Sequence, residues 1–297
     1  MPPSRVLAAA LLSGLILPLA APVGRAADDD TAPTAALLDS AAEEDPAPGS
    51  PKLYGFHQIG LDAKYLFTRP FNLDRKGRIK VAVTAGTAGA LFLLRNRIRD
   101  RVQDHRTDGR DQFLDNVRVM GDGGIAPALA LVSYGVSFLT HDTREKETAV
   151  LLLESMAFTG AGVGLGQFVL SSERPVYGND VRFFHGGGHG FSGDAGLAAS
   201  IVPILRRQYL IVKPADGGAL RFWKRGAAGL LYTGAILTAY QRVNSDRHWA
   251  PDAFLGSVTG FTVGEILCDS HDLTKQGKER RAHLELVPGG IGLGVAF

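Results

Sequence analysis

A histidine with two well-spaced polar neighbours lies between two apolar stretches in the C-terminal third of the chain. His248 follows Arg242 by six residues and precedes Asp252 by four. A histidine nitrogen can attack phosphorus, a carboxylate can orient the ring through its other nitrogen, and a guanidinium group binds phosphate oxygens through forked donors. The spacing is compatible with a phosphoryl-transfer site or with a structural histidine–aspartate pair, and these residues alone leave both open.

A second group of polar residues lies about sixty residues earlier. Arg174 precedes a proline, which restricts the preceding residue to extended geometry and ends a helix there. Ser192 and Gly193 are followed by an acid, which is the composition of a capped helix N-terminus. Such a terminus offers free N–H groups and a positive dipole end to a phosphate. The alternative is an ordinary cap beside a glycine-rich loop that carries His185 and His189.

Six apolar stretches must position these residues, and their length favours helices over strands. They are residues 79–94, 125–140, 148–170, 195–212, 226–240 and 253–268. Two of them separate the two polar groups, so an up-and-down arrangement returns both groups to the same end. We therefore predict an all-α fold, a helical bundle of about six core helices.

The remaining segments give the predicted domain organisation. Residues 1–26 have the pattern of a secretory signal peptide, with an uncleaved membrane anchor as the alternative. Residues 27–51 are rich in Ala, Asp, Glu and Pro, which predicts a disordered linker. Residues 52–74 are predicted to form an amphipathic lead-in, 75–270 the helical domain, and 271–297 a C-terminal tail with a short β-hairpin. The signal predicts the cell envelope, in the periplasm or the inner membrane.

Composition restricts the function further. The 297 residues are 45% hydrophobic and 21% charged, which is enough for a sizeable core. The net charge of +2 argues against nucleic-acid binding. Cys268 is the only cysteine, which excludes an intramolecular disulfide and a zinc site built from several thiolates.

The apolar stretches do not decide whether the helices span a membrane. A span needs about 20 apolar residues, and only the stretch 148–170, which contains Glu154, is clearly long enough. Basic residues occur in loops on both sides and do not fix an orientation. We expect membrane association. The protein is either a helical domain in the periplasm or at the membrane surface, or a polytopic membrane protein.

The motif around His248 resembles one from a known family. The order Arg242-x5-His248-x3-Asp252 resembles the Ser-Arg-x5-His-x3-Asp motif of the type 2 phosphatidic acid phosphatase and vanadium haloperoxidase superfamily. Gln241 replaces the leading serine. The resemblance extends over roughly residues 75–268, because two further motifs occur in the family's order and at fitting intervals.

Those two motifs are more divergent. In the family they read Lys-x6-Arg-Pro and Pro-Ser-Gly-His. Here the first has Gln167 in the lysine position, with six residues between it and Arg174 and its proline. The second keeps Ser192 and Gly193 and has Asp194 in the position of the histidine.

The resemblance implies a role for each matched residue. His248 would be the nucleophile that forms a phosphohistidine, and Asp252 would bond to its other ring nitrogen and fix the tautomer. The phosphate would be held by Arg174, Arg242, Ser192, Gly193 and Gln167. No metal or other cofactor is implied, because arginines and helix amides balance the phosphate charge.

The departures from the family concern the proton donor. Asp194 stands where the family has the histidine that protonates the leaving group, and an ionised carboxylate would repel phosphate by about 4 kcal/mol at 4 Å and a dielectric constant of 20. We predict that Asp194 is protonated when substrate binds and acts as the general acid, with highest activity at acidic pH. His189 or His185 as the acid is one alternative, and a site without turnover is another.

The predicted function is an acid-phosphatase-like hydrolase of lipid phosphates or small phosphate esters. A catalytically impaired protein of the cell envelope that binds phosphate or lipid headgroups is the alternative. A vanadate-dependent peroxidase is a third class, and the positive charge lost at Gln167 argues against it. The expected partner is a phosphate-bearing substrate, and the oligomeric state is not predicted.

Overall fold

The computed structural model describes residues 56–275, 282–287 and 290–295. In this part the fold is all-α apart from two antiparallel strand pairs. The helices are α1 (Phe56–Thr68), α2 (Arg75–Leu93), α3 (Arg95–Asp104), α4 (Asp108–Arg118), α5 (Ile125–Thr140), α6 (Thr143–Val169), α7 (Gly193–Tyr209), α8 (Gly218–Asn244) and α9 (Ala250–Lys275). The strands are β1 (Leu170–Ser172), β2 (Val181–Phe183), β3 (Ala282–Val287) and β4 (Gly290–Val295).

The six predicted core helices are confirmed as α2 and α5 to α9. The lead-in contains a helix, α1, and the predicted C-terminal hairpin is the pair β3–β4. Helix α3 lies outside the six predicted stretches. Its only apolar residues are Ile98 and Val102, too few for a periodic stripe. The predicted signal peptide and linker lie outside the described residues.

The core is built where α7 packs against α6, α8 and α9. Its centre consists of fully buried aliphatic side chains from three of these helices, namely Leu151 and Leu152 on α6, Ile201 and Ile204 on α7, and Leu267 on α9. They belong to one hydrophobic cluster. Close packing of this kind fixes the helix ends relative to one another.

Glycines bring α7 and α9 into backbone contact. A Cβ atom on Gly260 would lie 1.8 Å from the carbonyl oxygen of Gly196, and one on Gly256 would lie 2.3 Å from that of Ser192. Only residues without a side chain fit at these two positions. The approach joins the N-termini of both helices, where the Ser192 N–H donates to the carbonyl oxygen of Asp252 at 3.0 Å. The two polar groups of the sequence therefore meet at one end of the bundle, as predicted.

The outer surface is rich in apolar side chains. Large exposed examples are Leu93 on α2, Leu131 and Leu139 on α5, and Phe222 and Ile236 on α8. Within the described residues, α6 is long and apolar enough to cross a membrane by itself. Two bent helix pairs also meet this criterion when each pair is taken as one span. The first is α2 with α3, the second is residues 108–121 with α5, and together with α6 they would give three spans. An exposed apolar surface of this extent marks a face that contacts lipid or another protein.

Candidate active site

His248 lies between α8 and α9 and is 7% exposed. Its Nδ1 atom is 3.1 Å from the carbonyl oxygen of Gly190. A carbonyl oxygen only accepts hydrogen bonds, so Nδ1 carries the proton and donates it. In the neutral ring this assigns the lone pair to Nε2, which is the state that a nucleophile requires.

The surroundings keep this ring neutral. Burial lowers the pKa of His248 to about 4, and the charge of Arg242 acts in the same direction. The hydrogen bond to Gly190 and the charge of Asp194 oppose the shift without cancelling it. At any pH well above 4 the imidazole is therefore uncharged and its Nε2 lone pair is free of a proton.

Asp252 was predicted to hold the ring of His248, but in the structure these two side chains share no hydrogen bond. Its Oδ2 atom accepts a hydrogen bond of 2.9 Å from the hydroxyl of Ser172, on β1. Burial raises the pKa of Asp252 to about 7, against the effect of the Ser172 hydrogen bond. The carbonyl of Gly190, rather than Asp252, fixes the tautomer of His248. Asp252 instead ties the first turn of α9 to the strand that precedes Arg174.

Two arginines lie close to the histidine with unused donors. Arg174 follows β1, and its carbonyl oxygen accepts the N–H group of Tyr177 at 2.9 Å in a tight turn. Arg242 is in the last turn of α8. The Nε atoms of Arg174 and Arg242 are buried and have no hydrogen-bond partner among the described residues. Both charges lower the pKa of His248, so both act on its ring. Buried donors without partners are costly, and an anion would satisfy them.

The N-terminus of α7 adds backbone donors. Ser192 is fully buried and caps the helix, with its hydroxyl oxygen accepting from the N–H of Ala195 at 3.4 Å. The helical hydrogen bonds begin with Gly196, whose N–H donates to the Ser192 carbonyl. The N–H groups of Gly193 and Asp194 precede it and have no acceptor within the helix. A Cβ on Gly193 would meet nothing within 4 Å, so there is open space beside these donors.

Gln167 makes a contact to the loop before α7. Its Nε2 atom donates to the carbonyl oxygen of Phe191 at 3.0 Å. This bond links the last turn of α6 to the residue just before the Ser192 cap. One N–H of the side chain therefore positions the loop before α7, and the role of Gln167 in phosphate binding stays a prediction.

Asp194 is ion-paired from two sides. Its Oδ2 atom lies 2.9 Å from a guanidinium nitrogen of Arg118, on α4, and 3.1 Å from one of Arg242. An oxygen engaged by two guanidinium groups is an acceptor, which opposes the prediction that Asp194 donates a proton to a leaving group. The carboxylate is better suited to hold the two arginines in place.

A cavity of about 260 Å³ opens beside Arg174. Its lining includes Arg182, His185 and His189 together with the backbone of the glycine-rich loop. Burial and the charge of Arg174 lower the pKa of His189. The cavity is thus basic and contains both of the histidines that were proposed as alternative acids.

A second cavity, of about 240 Å³, is lined largely by apolar groups. It lies between α2, the β1–β2 pair and the start of α9, and its lining includes Phe92, Leu170 and Trp249. Ser172 lines both cavities, and Asp252 lines this one. An apolar chamber therefore adjoins the basic one.

Three groups of the site were not found from the sequence. Gly190 acts through its main-chain carbonyl, a group that every residue has, so the residue type does not indicate this role. Ser172 lies in a short strand that no alternating pattern indicated. Arg118 ends a charged helix, 76 residues before the Asp194 that it pairs with. Only the tertiary contacts identify these three.

No protein-family model matches the sequence, and no curated protein matches it. Two solved structures are similar in fold. LpxE from Aquifex aeolicus shares 19% identity at a TM-score of 0.43, over 59% of this chain and 95% of its own. The first transmembrane PAP2 type phosphatidylglycerolphosphate phosphatase from Bacillus subtilis shares 15% identity at a TM-score of 0.43, over 74% of this chain and 95% of its own.

Proposed function

We propose that this protein is a phosphatase that acts through a covalent phosphohistidine on His248. The observation that carries the proposal is a neutral buried histidine beside two arginines whose buried Nε donors lack partners in the described part of the chain. A tetrahedral phosphoryl group would supply the missing acceptors.

In the first step the Nε2 lone pair of His248 attacks phosphorus and the bond from phosphorus to the leaving oxygen breaks. The ring becomes cationic, and its Nδ1–H continues to donate to Gly190, so the developing charge is stabilised by a carbonyl dipole. Arg174, Arg242 and the N–H groups at the start of α7 bind the phosphoryl oxygens. These donors are already in place, which lowers the cost of reorganisation.

The leaving oxygen needs a proton, and we assign it to His189. This residue lines the basic cavity with Arg174, whereas Asp194 is held between two arginines. In the second step water attacks phosphorus, His189 takes back a proton from that water, and the bond from Nε2 to phosphorus breaks. Inorganic phosphate leaves, and both histidines return to their initial states.

The substrate that fits best is a lipid phosphate. The apolar cavity adjoins the basic cavity at Ser172, so a phosphate headgroup and an apolar chain can be bound side by side. The exposed apolar faces of α2, α5 and α8 give a surface through which such a substrate reaches the site from a bilayer. We place the protein in the membrane of the cell envelope.

Acid-quench detection of phosphohistidine tests the nucleophile. The full chain in detergent is incubated with an aryl phosphate and with a lipid phosphate, and the covalent intermediate and free phosphate are measured. We expect both signals in the native protein and neither in His248→Ala, while His105→Ala, at an exposed histidine elsewhere, retains both.

A second candidate function is phosphate binding without turnover, which the Asp194 carboxylate in the anion site favours. Binding of inorganic phosphate with no intermediate and no hydrolysis at any pH from 4 to 8 would support it and contradict the phosphatase.

A further inference from the structure

A second cluster of reactive side chains lies inside the bundle, far from His248. It consists of Asp62 on α1, Glu154 on α6 and His271 on α9, which are 0%, 6% and 0% exposed. One ligand atom from each lies within 4.8 Å of the others. We propose that these three residues bind a divalent metal ion.

The geometry around the imidazole is that of a cation site. The Nε2 atom of His271 is 3.1 Å from Asp62 Oδ2 and 3.9 Å from Glu154 Oε2. Neither carboxylate oxygen of Glu154 has a hydrogen-bond partner among the described residues, although both are buried. A buried carboxylate that accepts no hydrogen bond is unfavourable, and a cation between the three groups would remove that cost.

An outer layer orients the ligands. The Nδ1 atom of His271 is 3.1 Å from Glu147 Oε1, on the same helix as Glu154. When Nδ1–H donates to that carboxylate, Nε2 holds the lone pair that a metal needs, as in carboxylate–histidine–metal triads. Gln58 donates to Asp62 Oδ1 at 2.8 Å, which leaves Oδ2 for the ion.

The donor set indicates the class of metal. One imidazole nitrogen and two carboxylates suit zinc or manganese, since imidazole favours the first and oxygen ligands the second. Nineteen residues of α9 separate Asp252 from His271, about 28 Å at the helical rise. The ion would therefore clamp α1 to α6 and α9 without touching the phosphate site.

Burial of polar groups on α1 agrees with this role. Gln58 and Asp62 lie on its buried side, whereas Ile59 and Phe67 are exposed. The buried side of α1 thus carries polar groups beside Tyr65 and Leu66, and a bound metal ion would add to the contacts that hold this helix.

The competing explanation is a protonated His271 that bridges Asp62 and Glu147 as an ion pair without metal. The two differ in their response to added metal. The full chain in detergent is stripped with EDTA and titrated with Co²⁺, Zn²⁺ or Mn²⁺, with metal content and the thermal unfolding midpoint as readouts. We expect one ion per chain, a visible Co²⁺ spectrum, and a higher midpoint on loading.

Variants locate the ion. Glu154→Gln keeps the shape of the side chain but loses a charged ligand, so Co²⁺ affinity should fall by at least about tenfold. Glu147→Gln, in the outer layer, should weaken it by about 10–100-fold. His248→Ala and His105→Ala should leave it unchanged, which separates this site from the phosphate site and from surface histidines. A native protein whose midpoint and spectrum do not respond to any of the three metals, or a Glu154→Gln protein that binds as tightly as the native one, overturns the proposal.

Discussion

The ring of His248 is held by the main chain of Gly190, whose carbonyl oxygen lies 3.1 Å from Nδ1. Asp252, four residues further along, bonds to Ser172 instead. The tautomer of the proposed nucleophile therefore depends on a backbone group that no side-chain substitution removes.

This relationship predicts a small effect of Asp252→Asn. The asparagine can still accept from Ser172, and Gly190 still fixes the ring, so we expect kcat to fall by less than about tenfold. Removing the orienting aspartate of a Ser–His–Asp triad costs about 10⁴-fold. Steady-state hydrolysis of an aryl phosphate distinguishes these outcomes, and a loss above about 10³-fold would restore Asp252 as the partner of the ring.

The identity of the acid is tested through the leaving group. An alkyl or lipid alkoxide needs a proton to depart, whereas p-nitrophenolate does not. We expect His189→Ala to lower kcat on a lipid phosphate by about 10²–10⁴-fold and to affect the aryl phosphate much less. Asp194→Asn is the matched variant and should show no such dependence on the substrate. The reverse pattern would return the acid role to Asp194.

The pH dependence follows from two histidines with opposite requirements. His248 must be neutral, so activity is lost as pH falls towards its pKa of about 4. His189 must be protonated, and burial and the charge of Arg174 lower its pKa below the usual 6.5 of a histidine. Activity is therefore lost as the pH rises through this lowered pKa. We expect a bell-shaped kcat/KM profile with an acidic maximum. Loss of the alkaline limb in His189→Ala would support this assignment, and a profile that still rises above pH 7 would contradict it.

The forked donors of the arginines are expected to matter beyond their charge. Arg174→Lys and Arg242→Lys keep a cation but lose the Nε donor, and a hydrogen bond to a charged group contributes about 1.5–3 kcal/mol. This corresponds to a fall of about 10–100-fold in kcat/KM and weaker inhibition by inorganic phosphate. Arg182→Lys is the control, because that side chain lines the same cavity but is 59% exposed. Equal effects of all three substitutions would argue against specific phosphate contacts.

Helix contact near the site is tested by Gly260→Ala. The added Cβ would meet the carbonyl oxygen of Gly196 at 1.8 Å, so α7 and α9 must separate. We expect a loss of about 1–3 kcal/mol in the free energy of unfolding, seen as a lower midpoint in detergent. Gly229→Ala, on α8 with nothing within 4 Å of the new Cβ, should instead raise stability by about 0.5–1 kcal/mol. A Gly260→Ala protein as stable as the native one would contradict the close approach.

The sequence by itself determined the six core helices and singled out residues of the matched motifs. Long apolar stretches must be buried or face lipid, so six core helices could be predicted from length and composition alone. Arg174, Ser192 and His248 could be singled out because proline, capping and spacing patterns are local properties of the chain. The helix α3 escaped prediction because its residues lack an apolar stripe.

Tertiary structure decided which groups meet. The carbonyl of Gly190, the hydroxyl of Ser172 and the guanidinium of Arg118 enter the site through contacts that no local pattern encodes. His271 and Asp62 are 209 residues apart in the chain and 3.1 Å apart in the bundle. Partners at such separations are chosen by helix packing, which depends on the whole core at once. The sequence therefore specified the candidate nucleophile, and the packing of α7 against α9 decided what holds it.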